Sequence, residues 1–152
     1  MSYPIEDLKT IGPGVAATFK ACGIRSTGKL LEAAKDPKGR KTLADKTGIP
    51  EKDILRSANM ADRLRIKGVG EDYAVLLEAA GVGTVRELTY RNPANLAKAM
   101  AEANVKRKLG VQLLPSQKTV LRWIEHAKKL PLKISYKDQA EAPRNGRRRV
   151  DA

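Results

Sequence analysis

Ile66-Lys67-Gly68-Val69-Gly70-Glu71-Asp72-Tyr73-Ala74-Val75-Leu76-Leu77 decides the fold, because Leu8-Lys9-Thr10-Ile11-Gly12-Pro13-Gly14-Val15-Ala16-Ala17-Thr18-Phe19 has already used the same plan. A shift of 58 residues lays Gly70 on Gly12, Lys67 on Lys9, Ala74 on Ala16, Leu77 on Phe19, Gly81 on Gly23 and Leu88 on Leu30. The chain therefore carries a duplicated unit whose centre is a sharp glycine turn between two short helices. A helix that starts at such a turn leaves N–H groups unpaired at the positive end of its dipole, which is where phosphate and other anions bind.

Outward from the turns, Ala, Leu, Lys and Glu recur at the helical period and alternating β-branched runs are almost absent, so the reading is all-α. In the first half, Pro4 precedes a short helical turn, a helix runs from about Pro13 to Cys22, and Gly23 stops it. Ser26 caps the next helix, Asp36-Pro37 opens another that Gly48 ends, and Pro50 to Arg63 forms the longest amphipathic stretch. The second half follows the same order: Glu71 to Ala80, a short helix capped by Thr84, one opened by Asn92-Pro93, and a last one from Ser116 to about Lys129. Ile54-Leu55-Arg56 aligns with Val120-Leu121-Arg122 at a shift of 66, which places an eight-residue gain within Val105 to Pro115. The expected organisation is a first repeat over 1–63, a second over 64–130, and a flexible basic tail over 131–152, where periodicity gives way to Pro, Gly and Arg.

Thirty Lys and Arg against seventeen Asp and Glu give a net charge of +13, and 24 of the basic and 14 of the acidic residues fall within 1–130. The patterned region is thus itself positive, a balance that attracts polyanions and makes nucleic acid the leading partner. One cysteine excludes an intrachain disulfide framework and a Cys-rich zinc site, and suits a reducing compartment. No apolar run is long enough to span a bilayer, and Met1 to Asp7 lacks a secretory pattern, so the expectation is a cytoplasmic protein without membrane contact.

The 66–77 segment resembles the helix-hairpin-helix motif: apolar Ile66, Gly68, apolar Val69, Gly70, Ala74 and apolar Leu77 fill the patterned positions. The first copy departs from it in one place, Thr10 for the first glycine, while Ile11, Gly12, Ala16 and Phe19 fit. Over 5–130 the arrangement is similar to the uncharacterised family of tandem helix-hairpin-helix proteins called domain of unknown function 4332. The resemblance implies two tandem repeats of short helices that grip the sugar-phosphate backbone without reading bases, DNA ahead of RNA.

On that reading the nucleic-acid-binding residues are Lys9, Thr10, Ile11, Gly12 and Gly14 at the first turn, and Arg65, Lys67, Gly68, Val69 and Gly70 at the second. Arg147, Arg148 and Arg149 would add a polyanion arm. Three residues work against it: Pro13 has no N–H to donate, and Glu71 and Asp72 place two carboxylates in the first turn of the second helix, where they suit the dipole but repel phosphate. The turns therefore keep two open roles, phosphate contact and compact helix connector. His126 and Trp123 read as structural, Cys22 as a small packing residue, and the scattered carboxylates form no catalytic or metal pair, so neither enzymatic activity nor a cofactor is expected. The rival function is an adaptor that presents helical faces to a protein partner, an acidic one suiting the positive charge, with the turns purely structural.

Overall fold

The computed structural model describes residues 2–136. Among the described residues, eight α-helices follow a short 3-10 turn at Ile5–Asp7: α1 (Pro13–Ala21), α2 (Thr27–Ala33), α3 (Pro37–Thr47), α4 (Glu51–Arg63), α5 (Glu71–Ala79), α6 (Val85–Leu88), α7 (Pro93–Lys106) and α8 (Gln117–Ala127). No strand accompanies them beyond an isolated bridge between Pro4 and Ser26. The all-α reading holds.

Local chemistry sets most of the boundaries. Ser26, Asp36, Asn92 and Ser116 each accept a hydrogen bond from the amide three residues on, and Thr84 with Glu87 forms a capping box. Caps of this kind stabilise a helix start by about 1 kcal/mol each. Gly48 closes α3 in the left-handed conformation, as its position after the last apolar residue requires. The helices that leave the two glycine turns are different: neither Gly12 before α1 nor Gly70 before α5 supplies a side-chain cap.

The duplication extends to individual hydrogen bonds. Ala16 N–H donates to the Gly12 carbonyl and Ala74 N–H to that of Gly70; Ile24 N–H reaches the Phe19 carbonyl and Val82 N–H that of Leu77, each pair at the shift of 58. The last helices repeat in burial, with Ile54, Ala58 and Ala61 of α4 matched by Val120, Ile124 and Ala127 of α8. The extra length of the second half is shared between two places: α7 has 14 residues where α3 has 11, and the connection to α8 runs over 107–116 where that to α4 needs only 48–50.

The two halves do not close separate cores. Phe19, Leu30, Ile54 and Ala58 from the first and Leu76, Leu88, Met100 and Trp123 from the second belong to one apolar cluster. At the end of α4 the cluster encloses two charged neighbours, Asp62 and Arg63, 2% and 1% exposed. Arg63 Nε donates to the Ala74 carbonyl at 2.9 Å and Nη1 to the Gly83 carbonyl at 3.0 Å, while Asp62 Oδ2 accepts from Val85 N–H at 2.8 Å. Burial pulls the Arg63 guanidinium below its ordinary pKa, and carbonyl dipoles of the second half hold it in place.

The segment expected to begin a free tail is fixed at its root. Ser135 N–H donates to the Lys35 carbonyl at 2.7 Å, and the buried Arg40 bonds the carbonyls of Ala34 and Ser135 at 2.9 and 2.7 Å. Residues 131–136 therefore return from α8 to the α2–α3 corner, because Arg40 needs acceptors that its own helix cannot offer. Arg147, Arg148 and Arg149 lie outside the described residues. Cys22, read as a packing residue, is exposed: it sits at the C-cap of α1, where the chain has left the buried face.

Replacing Arg63 with Leu strands the Gly83 carbonyl and cuts the tie to the Ala74 carbonyl, and is expected to cost on the order of 2–4 kcal/mol in urea unfolding followed by circular dichroism. Gly14→Ala is the control: its added Cβ meets nothing within 4 Å inside α1, so stability stays level or rises by up to about 1 kcal/mol.

Candidate nucleic-acid interface

The two glycine turns, alike in sequence, differ in backbone. In the second turn the left-handed residue is Gly68, at φ +91°, and Val69 N–H closes the bend on the Ile66 carbonyl at 3.0 Å. Thr10 occupies the matching place in the first turn, and a Cβ there costs about 1–2 kcal/mol in the left-handed region. The first turn instead puts its positive φ, +86°, at Gly12, whose N–H bonds the Leu8 carbonyl at 3.3 Å. The bonds that enter each following helix and close its end repeat, Ala16 with Ala74 and Ile24 with Val82, whereas those before the second glycine do not.

Each turn also spends an amide on a distant side chain. Thr10 N–H donates to Glu71 Oε2 at 2.7 Å, so the carboxylate at the start of α5 lies against the first turn and ties the two turns together. Lys67 N–H donates to His126 Nδ1 at 3.0 Å, which brings the end of α8 against the second turn. With Nδ1 accepting, the proton of neutral His126 belongs on Nε2. Gly68 has little room on that side, since a Cβ there would stand 3.2 Å from Trp123 Nε1.

The diversion of Glu71 changes the electrostatics expected at the second turn. A carboxylate that reaches across to Thr10 does not cap its own helix, so Glu71, Asp72 and Tyr73 keep first-turn amides without intrahelical partners. Asp72 remains exposed and acidic there. Of the other residues named from sequence, Lys9, Thr10, Gly14, Lys67, Gly68 and Gly70 are exposed, Gly12 is half-buried, and Ile11 and Val69 point into the core. Arg65 is brought near the second turn but turns inward: Nη1 pairs with Asp62 Oδ1 at 2.6 Å, and Nη2 donates to the Pro131 carbonyl. A buried acid with an arginine three residues on recruits it before any external phosphate does.

Several contributors escaped the sequence reading. Arg122 lies one turn before His126 on the same side of α8, with Lys118 a turn earlier, and both are exposed. That spacing was visible in the chain, but nothing local said that α8 would end against Lys67. The 107–116 connection is a second case. Asn104 pins it by paired bonds to Val111, and Tyr73 Oη donates to the Leu113 carbonyl at 2.7 Å. It thereby walls an open cleft of about 670 Å³ against Gly68, Gly70 and Glu71. Trp123 is buried and tilted against Tyr73, with ring centroids 5.2 Å apart, as its packing role predicts. Among the described residues, no group of three or more His, Cys, Asp or Glu side chains is placed to hold a metal ion, and no helix is long and apolar enough to cross a membrane.

A family model described as Domain of unknown function (DUF4332) matches residues 9–130. No curated protein and no solved structure matches the chain.

His126→Ala removes the acceptor that holds the Lys67 amide. Hydrogen exchange at Lys67 is expected to accelerate, with a loss of about 1 kcal/mol in stability, while exchange at Thr10 stays unchanged.

Proposed function

For this chain, which belongs to the DUF4332 family, we propose non-catalytic, sequence-independent binding of a nucleic-acid backbone, DNA ahead of RNA, in which the two turns act as tandem helix-hairpin-helix elements. The observation that carries the proposal is the second turn. There, uncapped amides of α5, the exposed Lys67 and the α8 face bearing Lys118, Arg122 and His126 meet at one edge of a protein of charge +13. Backbone amides at a helix start hold a phosphate oxygen, and flexible cations around it add charge-assisted contacts without selecting a base. The first turn is the weaker partner, since Thr10 N–H is already engaged and Pro13 has none. One exposed cysteine fits work in a reducing cytoplasm.

The adaptor reading draws on a different observation. Val105 and Leu113, each 78% exposed, offer apolar surface beside the 107–116 connection, and Glu71 on Thr10 suits turns that serve only to join helices. Capture of partners with and without nuclease treatment separates the two, because a partner lost with the nucleic acid supports the backbone-binding reading.

Titration of a random duplex at several salt concentrations tests the proposal. Neutralising roughly two to four phosphates gives a log–log slope of about −2 to −4. Lys67→Glu with Arg122→Glu is expected to weaken binding at least about tenfold for all sequences alike, and Lys9→Glu by less. Affinity indifferent to salt and to the paired change overturns the assignment.

A further inference from the structure

The contact between Glu71 and Thr10 joins two elements that the duplication would lead one to expect to act separately. A formal anion already sits on the first turn at 2.7 Å, and it comes from the first residue of the helix that leaves the second. Of the neighbouring positions, Gly12 N–H bonds the Leu8 carbonyl and Pro13 has no hydrogen, so Thr10 N–H is the first-turn amide that the structure shows holding a carboxylate. Glu71 is half-buried and forms no ion pair among the described residues, while the bond itself lies at the surface, open to competition from solvent anions.

We propose that Glu71 is an internal occupant of an anion site on the first turn, and that a backbone phosphate binds there by displacing it. The proposal rests on the backbone-binding function above and adds a regulatory contact to it. One carboxylate oxygen accepting one amide hydrogen is the geometry that a phosphate oxygen would take over, so the ligand class is a phosphodiester oxyanion. Displacement returns the Glu71 carboxylate to the start of α5, where the dipole favours it but a phosphate on the second turn does not. The two turns thus compete for phosphate through one side chain: filling the first turn places a negative charge at the second.

Three variants separate this displacement from a simple change of charge. Asp72→Asn removes one negative charge from the same helical turn and leaves Thr10 occupied. Glu71→Gln also removes one charge but keeps an oxygen able to accept from Thr10. Glu71→Ala removes the charge and frees the amide. Binding to a short random duplex is expected to tighten about equally for Asp72→Asn and Glu71→Gln, and about a further fivefold for Glu71→Ala, the gain of one amide–anion hydrogen bond. The Thr10 amide resonance reports the contact directly. It should move on Glu71→Ala but not on Asp72→Asn, and should respond to added duplex most strongly in Glu71→Ala. If Glu71→Ala binds no tighter than Glu71→Gln while the parent protein does bind, the displacement is overturned and the function stands. If no variant or parent binds duplex at low salt, the function falls and the displacement with it. A Thr10 resonance unmoved by Glu71→Ala removes the contact on its own.

Discussion

At the end of α4 a carboxylate and a guanidinium are buried side by side, and the way each is satisfied fixes how the two halves meet. Arg63 reaches the carbonyl of Ala74 inside α5 and that of Gly83 before α6, and Asp62 takes the first amide of α6 and the guanidinium of Arg65. A buried charge without partners costs several kcal/mol, so α4 cannot sit elsewhere without stranding both groups. Apolar packing supplies more of the stability, but it tolerates sliding. The polar set accepts one register. The placements of Lys67 against α8 and of Glu71 against Thr10 follow from where α5 is held.

The same arrangement explains why two turns alike in sequence differ in what they offer. Placing glycine at 68 lets the second turn bend early, bringing its backbone close to Trp123. Thr10 forces the first turn to bend two residues later, at Gly12, and leaves its own amide pointing at Glu71. The first turn is thus edged by the Glu71 carboxylate, and the second by the end of α8 with its exposed Arg122, beside its own Asp72. The resulting asymmetry is the main support for assigning the phosphate contact to the second turn first.

Much of the fold was legible in the chain. Capping residues at 26, 36, 84, 92 and 116, proline at the first helical position, and Gly48 beyond the end of α3 all act within a few residues of where they stand. The shift of 58 carried over to the hydrogen bonds after each glycine turn for the same reason. The candidate site was only half legible. Lys9, Lys67, Gly14, Gly68 and Gly70 lie exposed at the turns, whereas Arg65 is drawn inward by Asp62, whose burial depends on the packing of α4 and not on residues near it in the chain. The root of the tail is drawn in likewise, since Arg40 seeks an acceptor at Ser135 from far away along the chain.

By itself, the sequence determined the helices, their ends, the duplication and the positive charge, because these depend on backbone propensity, side chains within one turn of the amides they satisfy, and counting. Tertiary structure alone decided which amides stay free. The bonds from Thr10 to Glu71 and from Lys67 to His126 join residues 61 and 59 positions apart. No local preference encodes such pairs; they depend on the helix placement to which the buried Asp62 and Arg63 contribute.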